Sequence, residues 1–261
     1  MSVLLLRLAG PMQSWGTQSR FTVRDTGLEP SRSGVIGLLC AALGRPRSEP
    51  LDDDFLSLKM AVRVDREGEL HRDFHTAGGG RLAMRPLTVG GRDYGVVKAS
   101  GAKGDTVVSS RDYLADADFL VAIAGERSLL SELNTALASP KWPLFLGRKS
   151  FAPGVPVQVR DDCLDEHGLL EEEEPESVLR RFPWIASRRW IEQRDRFDRG
   201  EESRPPEPQH LRIVVETDDP TNADGHPHDV PLSFQPRRFT TRHTRTEWIE
   251  AEDLRRIAIS E

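Results

Sequence analysis

The opening of the chain alternates between apolar segments and a polar stretch, which predicts a strand, a loop and a helix. Residues 3–6 are apolar and predict a buried strand, which a Gly-Pro pair ends because both residues interrupt regular structure. In residues 35–43 the apolar side chains recur at the spacing of an amphipathic helix. Ser31 or Ser33 can cap the start of this helix, and Gly44 suits the left-handed position at its end.

The following segments continue this pattern through residue 150. They predict strands at 60–64, 70–74, 118–124 and 142–146, and a helix at 128–137 that Ser128 caps. Taken in order, the main elements read βαββαβ, which predicts an α+β fold of the ferredoxin-like kind that RNA-recognition domains also use. We expect residues 1–150 to form this domain.

A basic, glycine-rich insertion interrupts the predicted domain between its second and third strands. Residues 76–110 carry three groups of glycines and almost no acidic side chains. They contain too few apolar residues to form a core of their own, so we predict an extended β-hairpin, called the thumb below. Its basic side chains, Arg85, Arg92 and Lys98, are candidates for contact with nucleic acid or a partner.

The second half, residues 151–261, has a less regular pattern. Short apolar runs predict strands at 155–159, 188–193 and 211–216, and hence a reduced, β-rich region. Two polar, proline-containing segments, residues 199–208 and 218–231, are predicted to be mobile loops.

Charge and cysteine content change this picture in two ways. The net charge is −6, so any nucleic-acid surface must be a local basic patch and not the whole molecule. The two cysteines, Cys40 and Cys163, make no disulfide framework, which fits a reducing cytosol.

No apolar run is long enough to span a bilayer, and the start lacks the charged region of a signal peptide, so we expect a cytoplasmic protein.

The sequence offers little support for a metal or cofactor site. His226, His228 and Asp229 have ligand-type side chains, but they lie in a proline-rich segment without a further ligand set at zinc-site spacing. The glycines of the thumb fit neither a phosphate-binding P-loop nor a dinucleotide fingerprint. We therefore expect no metal and no cofactor.

Single-stranded RNA binding is the chemistry that the candidate side chains suit best. Such sites combine a basic groove with surfaces on which bases stack. A helix start and guanidinium groups beside a strand end also favour phosphate. Each arginine could equally be a solvated surface residue, and Trp15 could be a packing residue of the core. The candidate RNA contacts are Gln13, Trp15, Arg24, Arg32, Ser33, His75, Arg111, Arg148 and Lys149. Arg237 and Arg238 form a second basic run that could face nucleic acid or a partner protein.

Several segments, in order along the chain, resemble one known family. They are LRLAGPMQSWG and PSRSGVIGLL near the start, then DFHT, RDYL, LFLGRKS and PRRFTTR. Together they resemble the CasD family, RAMP-superfamily subunits of the type I-E CRISPR Cascade. The resemblance implies a ferredoxin-like fold with a protruding thumb. It also implies the 5′ handle of CRISPR RNA (crRNA) as ligand, and a backbone subunit and a large PAM-reading subunit as neighbours. Target DNA would be met mainly through the assembled complex.

RNA cleavage and independent RNA binding remain the alternatives. Metal-independent cleavage needs a general base for the ribose 2′-hydroxyl, and His75, Tyr94, Lys98 and Tyr113 have suitable side chains. Some type I-C relatives cut precursor RNA, whereas the type I-E pattern seen here implies a subunit without nuclease activity. We therefore predict a non-catalytic RNA-binding subunit, with a precursor-RNA endonuclease and a stand-alone RNA-binding module as alternatives.

Overall fold

A computed structural model describes residues 1–16, 22–77, 87–89, 92–94, 107–171, 174–184 and 188–254, and for residues 77, 87–89, 92–94, 107, 188 and 189 it describes the backbone only. The strands are β1 Ser2–Ala9, β2 Met12–Gln13, β3 Val23–Arg24, β4 Lys59–Arg66, β5 Glu69–Ala77, β6 Leu87–Val89, β7 Arg92–Tyr94, β8 Val107–Ala115, β9 Asp118–Gly125, β10 Leu169–Glu171, β11 His210–Glu216, β12 Val230–Phe234, β13 Arg237–Thr240 and β14 Thr244–Glu250. The helices are α1 Arg32–Leu43, α2 Asp53–Ser57, α3 Arg127–Ala138, α4 Pro175–Arg181 and α5 Arg188–Asp198.

A six-stranded antiparallel sheet forms the centre of the fold, in the order β10-β1-β9-β4-β11-β14. The predicted mixture of helices with antiparallel strands is confirmed. Apolar side chains line both faces of β1: Leu4 and Leu6 join the core under α1 and α3, whereas Val3 and Leu5 join the core under α4. A strand buried on both faces reads as a continuous apolar run, which explains the opening of the sequence. Strands β11 and β14, from the second half of the chain, extend the same sheet.

The ends of the two long helices show how local sequence sets their length. Ser31, and not Ser33, caps α1 by accepting a hydrogen bond from the main-chain N–H of Gly34 at 3.3 Å. Gly44 ends that helix at a φ of +73°, as predicted. For α3 the predicted cap is wrong, because the helix begins at Arg127 and the carboxylate of Glu126 accepts from two main-chain N–H groups in the first turn.

A smaller sheet carries the base of the predicted thumb. Strand β5 pairs with β8 along nine residues, while β2 and β3 pair with the other edge of β8. The short strands β6 and β7 pair with each other. Strand β5 follows β4 after two residues, and β8 leads into β9 after two residues, so the smaller sheet extends directly from the central one.

Three strands predicted from apolar runs are wrong. Residues 142–146 form an irregular turn, and the strand beside β1 is instead β10. Residues 188–193 belong to helix α5, in which Trp190 is buried against Trp184. Residues 155–159 contribute only an isolated bridge between Leu6 and Gln158. Each segment does bury one apolar side chain, Leu146, Val157 or Trp190, but its backbone does not pair along a ladder.

A buried arginine that the sequence analysis missed fixes α4 against the central sheet. Arg63 is fully buried, and its guanidinium pairs with the carboxylate of Asp65. It also donates to the carbonyl oxygens of Leu179, Phe182 and Pro183, at and just beyond the end of α4. A cation at the C-terminal end of a helix satisfies carbonyl groups that have no partner within the helix. Among the described residues, no helix is long and apolar enough to cross a membrane.

Candidate nucleic-acid interface

Three of the predicted RNA-binding arginines lie together beside β8. Strand β3 runs parallel to β8 with Arg24 paired to Arg111, so both side chains lie on the same face of the smaller sheet. Arg148 approaches from the turn that follows residue 146, and its Nη2 donates to the carbonyl oxygens of Asp112 at 2.8 Å and of Arg24 at 3.4 Å. We call Arg24, Arg111 and Arg148 the arginine face.

A tight turn positions Arg148. Leu146 donates from its main-chain N–H to the carbonyl of Phe151 at 2.7 Å, and Phe151 donates to the carbonyl of Arg148 at 2.9 Å. Gly147 has a φ of +84°, and a Cβ placed there would lie 1.7 Å from the carbonyl oxygen of Ser14. Only glycine allows this approach, because it has no side chain and tolerates a positive φ. The segment LFLGRKS therefore builds a turn that holds an arginine against β8.

The electrostatics of the arginine face suit an anion. Burial and the neighbouring charges of Arg111 and Arg24 lower the pKa of Arg148, against an opposing effect of Asp112 and Asp73. Within the described part of the chain, no carboxylate forms a salt bridge with any of these three guanidinium groups. Guanidinium groups crowded together without carboxylate partners attract phosphate, to which arginine donates two hydrogen bonds at once.

Gln13 and Trp15, by contrast, have structural partners inside the protein. Gln13 is buried, and its Nε2 donates to the carbonyl oxygens of Leu8 at 2.9 Å and Ala117 at 2.8 Å. Its Oε1 accepts from Nε1 of Trp15, whose side chain is 1% exposed. These contacts hold the segment after β1 in the core. The structure therefore does not bring either side chain to the arginine face.

Arg32 also lies apart from the arginine face. Its Nη1 pairs with Glu216 at 2.9 Å, and its Nη2 donates to the carbonyl oxygen of Leu56 at 2.8 Å. Asp229 accepts from the main-chain N–H of Arg32 at 2.6 Å and pairs with Arg242, which also reaches Glu216. This buried network joins the start of α1 to β11 and to the segment around the β12–β13 hairpin.

The other predicted contacts occupy different places on the surface. His75 is exposed on β5, where its register with Ser109 puts it on the same side of the smaller sheet as Arg111. Lys149 is exposed next to Arg148, and Ser33 is half-buried in the first turn of α1. Arg237 and Arg238 are exposed on β13. Arg85 and Lys98 lie outside the described residues, as does the side chain of Arg92.

Tyr113 and Phe151 are aromatic side chains beside the arginine face that the sequence analysis did not name as binding residues. Tyr113, considered only as a catalytic candidate, packs between His71 and Phe151, and Arg148 lies over the Phe151 ring at 5.5 Å from its centroid. A signal was present in the sequence, because Arg111 and Tyr113 are two residues apart on one strand and must share a face.

Comparison with known proteins identifies the family. Residues 3–249 match the family described as CRISPR-associated protein (Cas_Cas5). The chain belongs to the Cas5 family. The CRISPR system Cascade subunit CasD of Escherichia coli (strain K12) is 37% identical to this Cas5 chain over 162 residues, which are 57% of the chain and 66%, just under two thirds, of that protein.

Two solved structures resemble this Cas5 protein over nearly its whole length. One, described as a CRISPR RNA-guided surveillance complex, superposes with a TM-score of 0.72 at 35% identity, covering 97% of this chain and 92% of the other. A second, described as a crystal structure of a Cas protein, gives a TM-score of 0.66 at 34% identity and covers 97% of both chains. The resemblance found in the sequence is thus confirmed at the level of the family.

The histidines once weighed as metal ligands have other contacts in this Cas5 structure. His226 Nδ1 lies 2.9 Å from His243 Nδ1, and His228 Nδ1 lies 3.0 Å from Oγ1 of Thr241. Among the described residues, no three or more His, Cys, Asp or Glu side chains group together as metal ligands would.

Proposed function

We propose that this Cas5 protein is a non-catalytic RNA-binding subunit of a type I-E CRISPR surveillance complex, in which it holds the 5′ handle of crRNA. The observation that supports this best is the arginine face, with three guanidinium groups free of salt bridges to described carboxylates. Each phosphate that such a group contacts releases bound counterions, and that release drives association with RNA. The local concentration of positive charge explains how a chain with a net charge of −6 can bind RNA.

The central sheet supports a ferredoxin-like core for this function. Numbered by their order in the chain, the four strands β10, β1, β9 and β4 have the spatial order 4-1-3-2. The two helices that follow the first and third of these strands, α1 and α3, pack on the same face. We propose that these elements are the βαββαβ core and that residues 76–110 are its thumb. The arginine face then lies where the thumb leaves the core.

The comparisons support assembly with other subunits. One relative is a Cascade subunit, and one similar structure is a surveillance complex. We propose that the neighbours are the backbone subunit and the large PAM-reading subunit, and that target DNA is met mainly through the complex, in the cytoplasm. Arg237 and Arg238, exposed on the β12–β13 hairpin, are candidates for contact with a subunit or with nucleic acid.

Ultraviolet cross-linking of the purified complex to its RNA tests this proposal. We expect a short RNA with a fixed 5′ end, and cross-linked peptides that contain Arg24, Arg111 or Arg148. A complex without the arginine face, made by changing all three residues to Ala, serves as the comparison and should lose these cross-links. RNA with no fixed 5′ end, or cross-links that map only to other surfaces of this chain, would overturn the proposal.

A further inference from the structure

A row of aromatic side chains continues the arginine face along the smaller sheet. The rings of His71 and Tyr113 stack with their centroids 5.7 Å apart and an interplanar angle of 22°. The ring of Phe151 follows with its centroid 5.9 Å from that of Tyr113, and Arg148 lies over Phe151. We call His71, Tyr113 and Phe151 the aromatic row. Centroid distances in this range are typical of offset and edge-to-face aromatic contacts.

Strand register places the aromatic row and the arginines on one face. His71 pairs with Tyr113, and two residues further along the same strands Asp73 pairs with Arg111. Side chains two residues apart share a face and lie about 6.6 Å apart along a strand. This spacing is comparable with the distance between the base and the phosphate of one nucleotide.

Only one ring of the row offers an open surface. Phe151 is buried and Tyr113 is half-buried, whereas the His71 side chain is 49% exposed. Tyr113 covers one side of the imidazole, and Glu69 lies 3.3 Å from its Nε2 at the ring edge. These two contacts fix the plane of the imidazole and leave 49% of the side chain exposed, which is surface that a ligand can cover. A flat ligand placed there would extend the row by one ring.

We propose that His71 is a base-stacking subsite, on which one unpaired nucleobase lies while the adjoining phosphates contact Arg111 and Arg148. The inference rests on the RNA-binding function proposed above and adds where a base is held. A nucleotide combines a flat ring with a nearby phosphate, which is the combination that the aromatic row and the arginine face offer side by side. Stacking tolerates any base, because every base has a π-face.

The full-length protein tests the subsite with RNA that carries a fluorescent adenine analogue at successive positions. The RNA has the sequence of the host's CRISPR 5′ handle, and emission of the analogue falls when it stacks. We expect strong quenching at one position, and we expect His71→Ala to abolish it and to weaken binding about tenfold. His71→Phe keeps a ring and should retain both. Phe74→Ala is the matched control, because Phe74 is a 72% exposed aromatic residue on the opposite face of β5.

The salt dependence of binding separates stacking from charge. Since stacking releases no counterions, His71→Ala should leave the salt slope unchanged, whereas Arg111→Ala should flatten it. The subsite is overturned if His71→Ala binds RNA as tightly as the wild type, or if Phe74→Ala loses as much affinity as His71→Ala. If Arg111→Ala still weakens binding in that case, the proposed RNA-binding function stands without the subsite. A flattened slope in His71→Ala would also overturn it, because the histidine would then act as a charge. If the wild-type protein does not bind the RNA at all, both proposals fail.

Discussion

Arg148 donates a hydrogen bond to the main-chain carbonyl of Asp112 at 2.8 Å and not to its carboxylate. The Asp112 carboxylate lies on the other face of the strand, where Arg72 binds it through two nitrogen atoms at 2.6 and 3.2 Å. The hydrogen bonds from Arg72 lower the pKa of Asp112, which favours the ionised form of that side chain. A single residue thus orients Arg148 through its backbone without neutralising it, and the charge remains available for a ligand.

The arginine face is predicted to carry most of the ionic part of RNA binding. Changing Arg24, Arg111 or Arg148 singly to Ala should weaken binding about tenfold, because each change removes one charged hydrogen-bonding partner of phosphate. Each should also reduce the slope of log K against log salt by about 0.7, the value for one contact with a single strand. Fluorescence anisotropy over a series of salt concentrations measures both quantities.

Arg47→Ala provides the control for this series. Arg47 is an exposed arginine in the loop after α1 and is not part of the arginine face. Its loss removes the same formal charge from the molecule. If Arg47→Ala changes the affinity and the slope as much as the three other variants do, overall charge and not this site is responsible.

Arg32 is predicted to stabilise the fold and not the RNA complex. Arg32→Ala leaves the Glu216 carboxylate, whose side chain is only 16% exposed, with Arg242 as its remaining salt-bridge partner among the described residues, at 3.2 Å. Removing one member of a buried ion pair costs about 3 kcal/mol of unfolding free energy, which urea denaturation would detect. Arg199→Ala, which breaks an exposed pair with Glu201, should change stability little. A stable Arg32→Ala protein with a flattened salt slope would instead place Arg32 in the RNA site.

The difference between Arg24 and Arg32 shows where sequence reasoning stops. Both arginines lie in the same polar stretch, and nothing nearby in the sequence distinguishes them. The residues that bury Arg32 are far along the chain: Glu216 is 184 positions away and Asp229 is 197. Tertiary partners of this kind decide whether an arginine is a buried anchor or a free surface cation. From the sequence, Arg24, Arg111 and Arg148 could be predicted only to lie near the edges of the same sheet, and their contacts with one another could not.

The sequence predicts the fold correctly where a long apolar segment also has residues that clearly mark its ends. The strand β1 and the helix α1 combine long apolar segments with clear ends, and both were found. The failure at residues 142–146 has a physical cause, since Leu146 packs into the core while its main-chain groups bond to a turn and to Ser14. Periodicity records which side chains turn inward, and it does not record how the backbone hydrogen bonds are satisfied.

Gly147 is predicted to be essential for the turn that presents Arg148. Gly147→Ala should lower both stability and RNA affinity, because the added Cβ would collide with the carbonyl of Ser14. Gly200→Ala is a matched control, since Gly200 also has a positive φ, +73°, but a Cβ there meets nothing within 4 Å. The control should lose only about 1 kcal/mol of stability and no RNA affinity. Equal behaviour of the two variants in denaturation and binding would contradict this role.

The buried thiol of Cys40 is predicted to weaken the fold at alkaline pH. Burial raises the pKa of Cys40 to about 11, so the folded protein keeps a proton that the unfolded chain loses at lower pH. The stabilisation is complete below a pH of about 9 and is lost as the pH rises from 9 towards 11. Urea denaturation below and within this window should show a smaller alkaline loss in Cys40→Ala than in its parent. Both proteins carry Cys163→Ser, so that they differ in one thiol only. An identical loss in the two proteins would exclude Cys40 as its source.

This Cas5 protein is predicted to bind precursor RNA without cutting it. A general base must lie within hydrogen-bond reach of the 2′-hydroxyl, and a second group must protonate the leaving oxygen. His75 lies on the same face as the arginines, and that face also carries a second histidine, His71. The two are four residues apart on β5, or about 13 Å along an extended strand, which is too far for both to act on one phosphodiester. The arginines cannot replace either histidine as the general base, because a guanidinium group stays protonated.

Incubation of the purified protein with precursor RNA measures this directly. We expect intact RNA with and without a metal chelator, and His75→Ala should leave the RNA equally intact. Gel analysis with single-nucleotide resolution distinguishes site-specific cleavage from contaminating nuclease. Cleavage at one position by the wild-type protein, abolished in His75→Ala but preserved in Phe74→Ala, would contradict the prediction. The arginine face would then hold a scissile phosphate, and His75 would be the general base that acts on it.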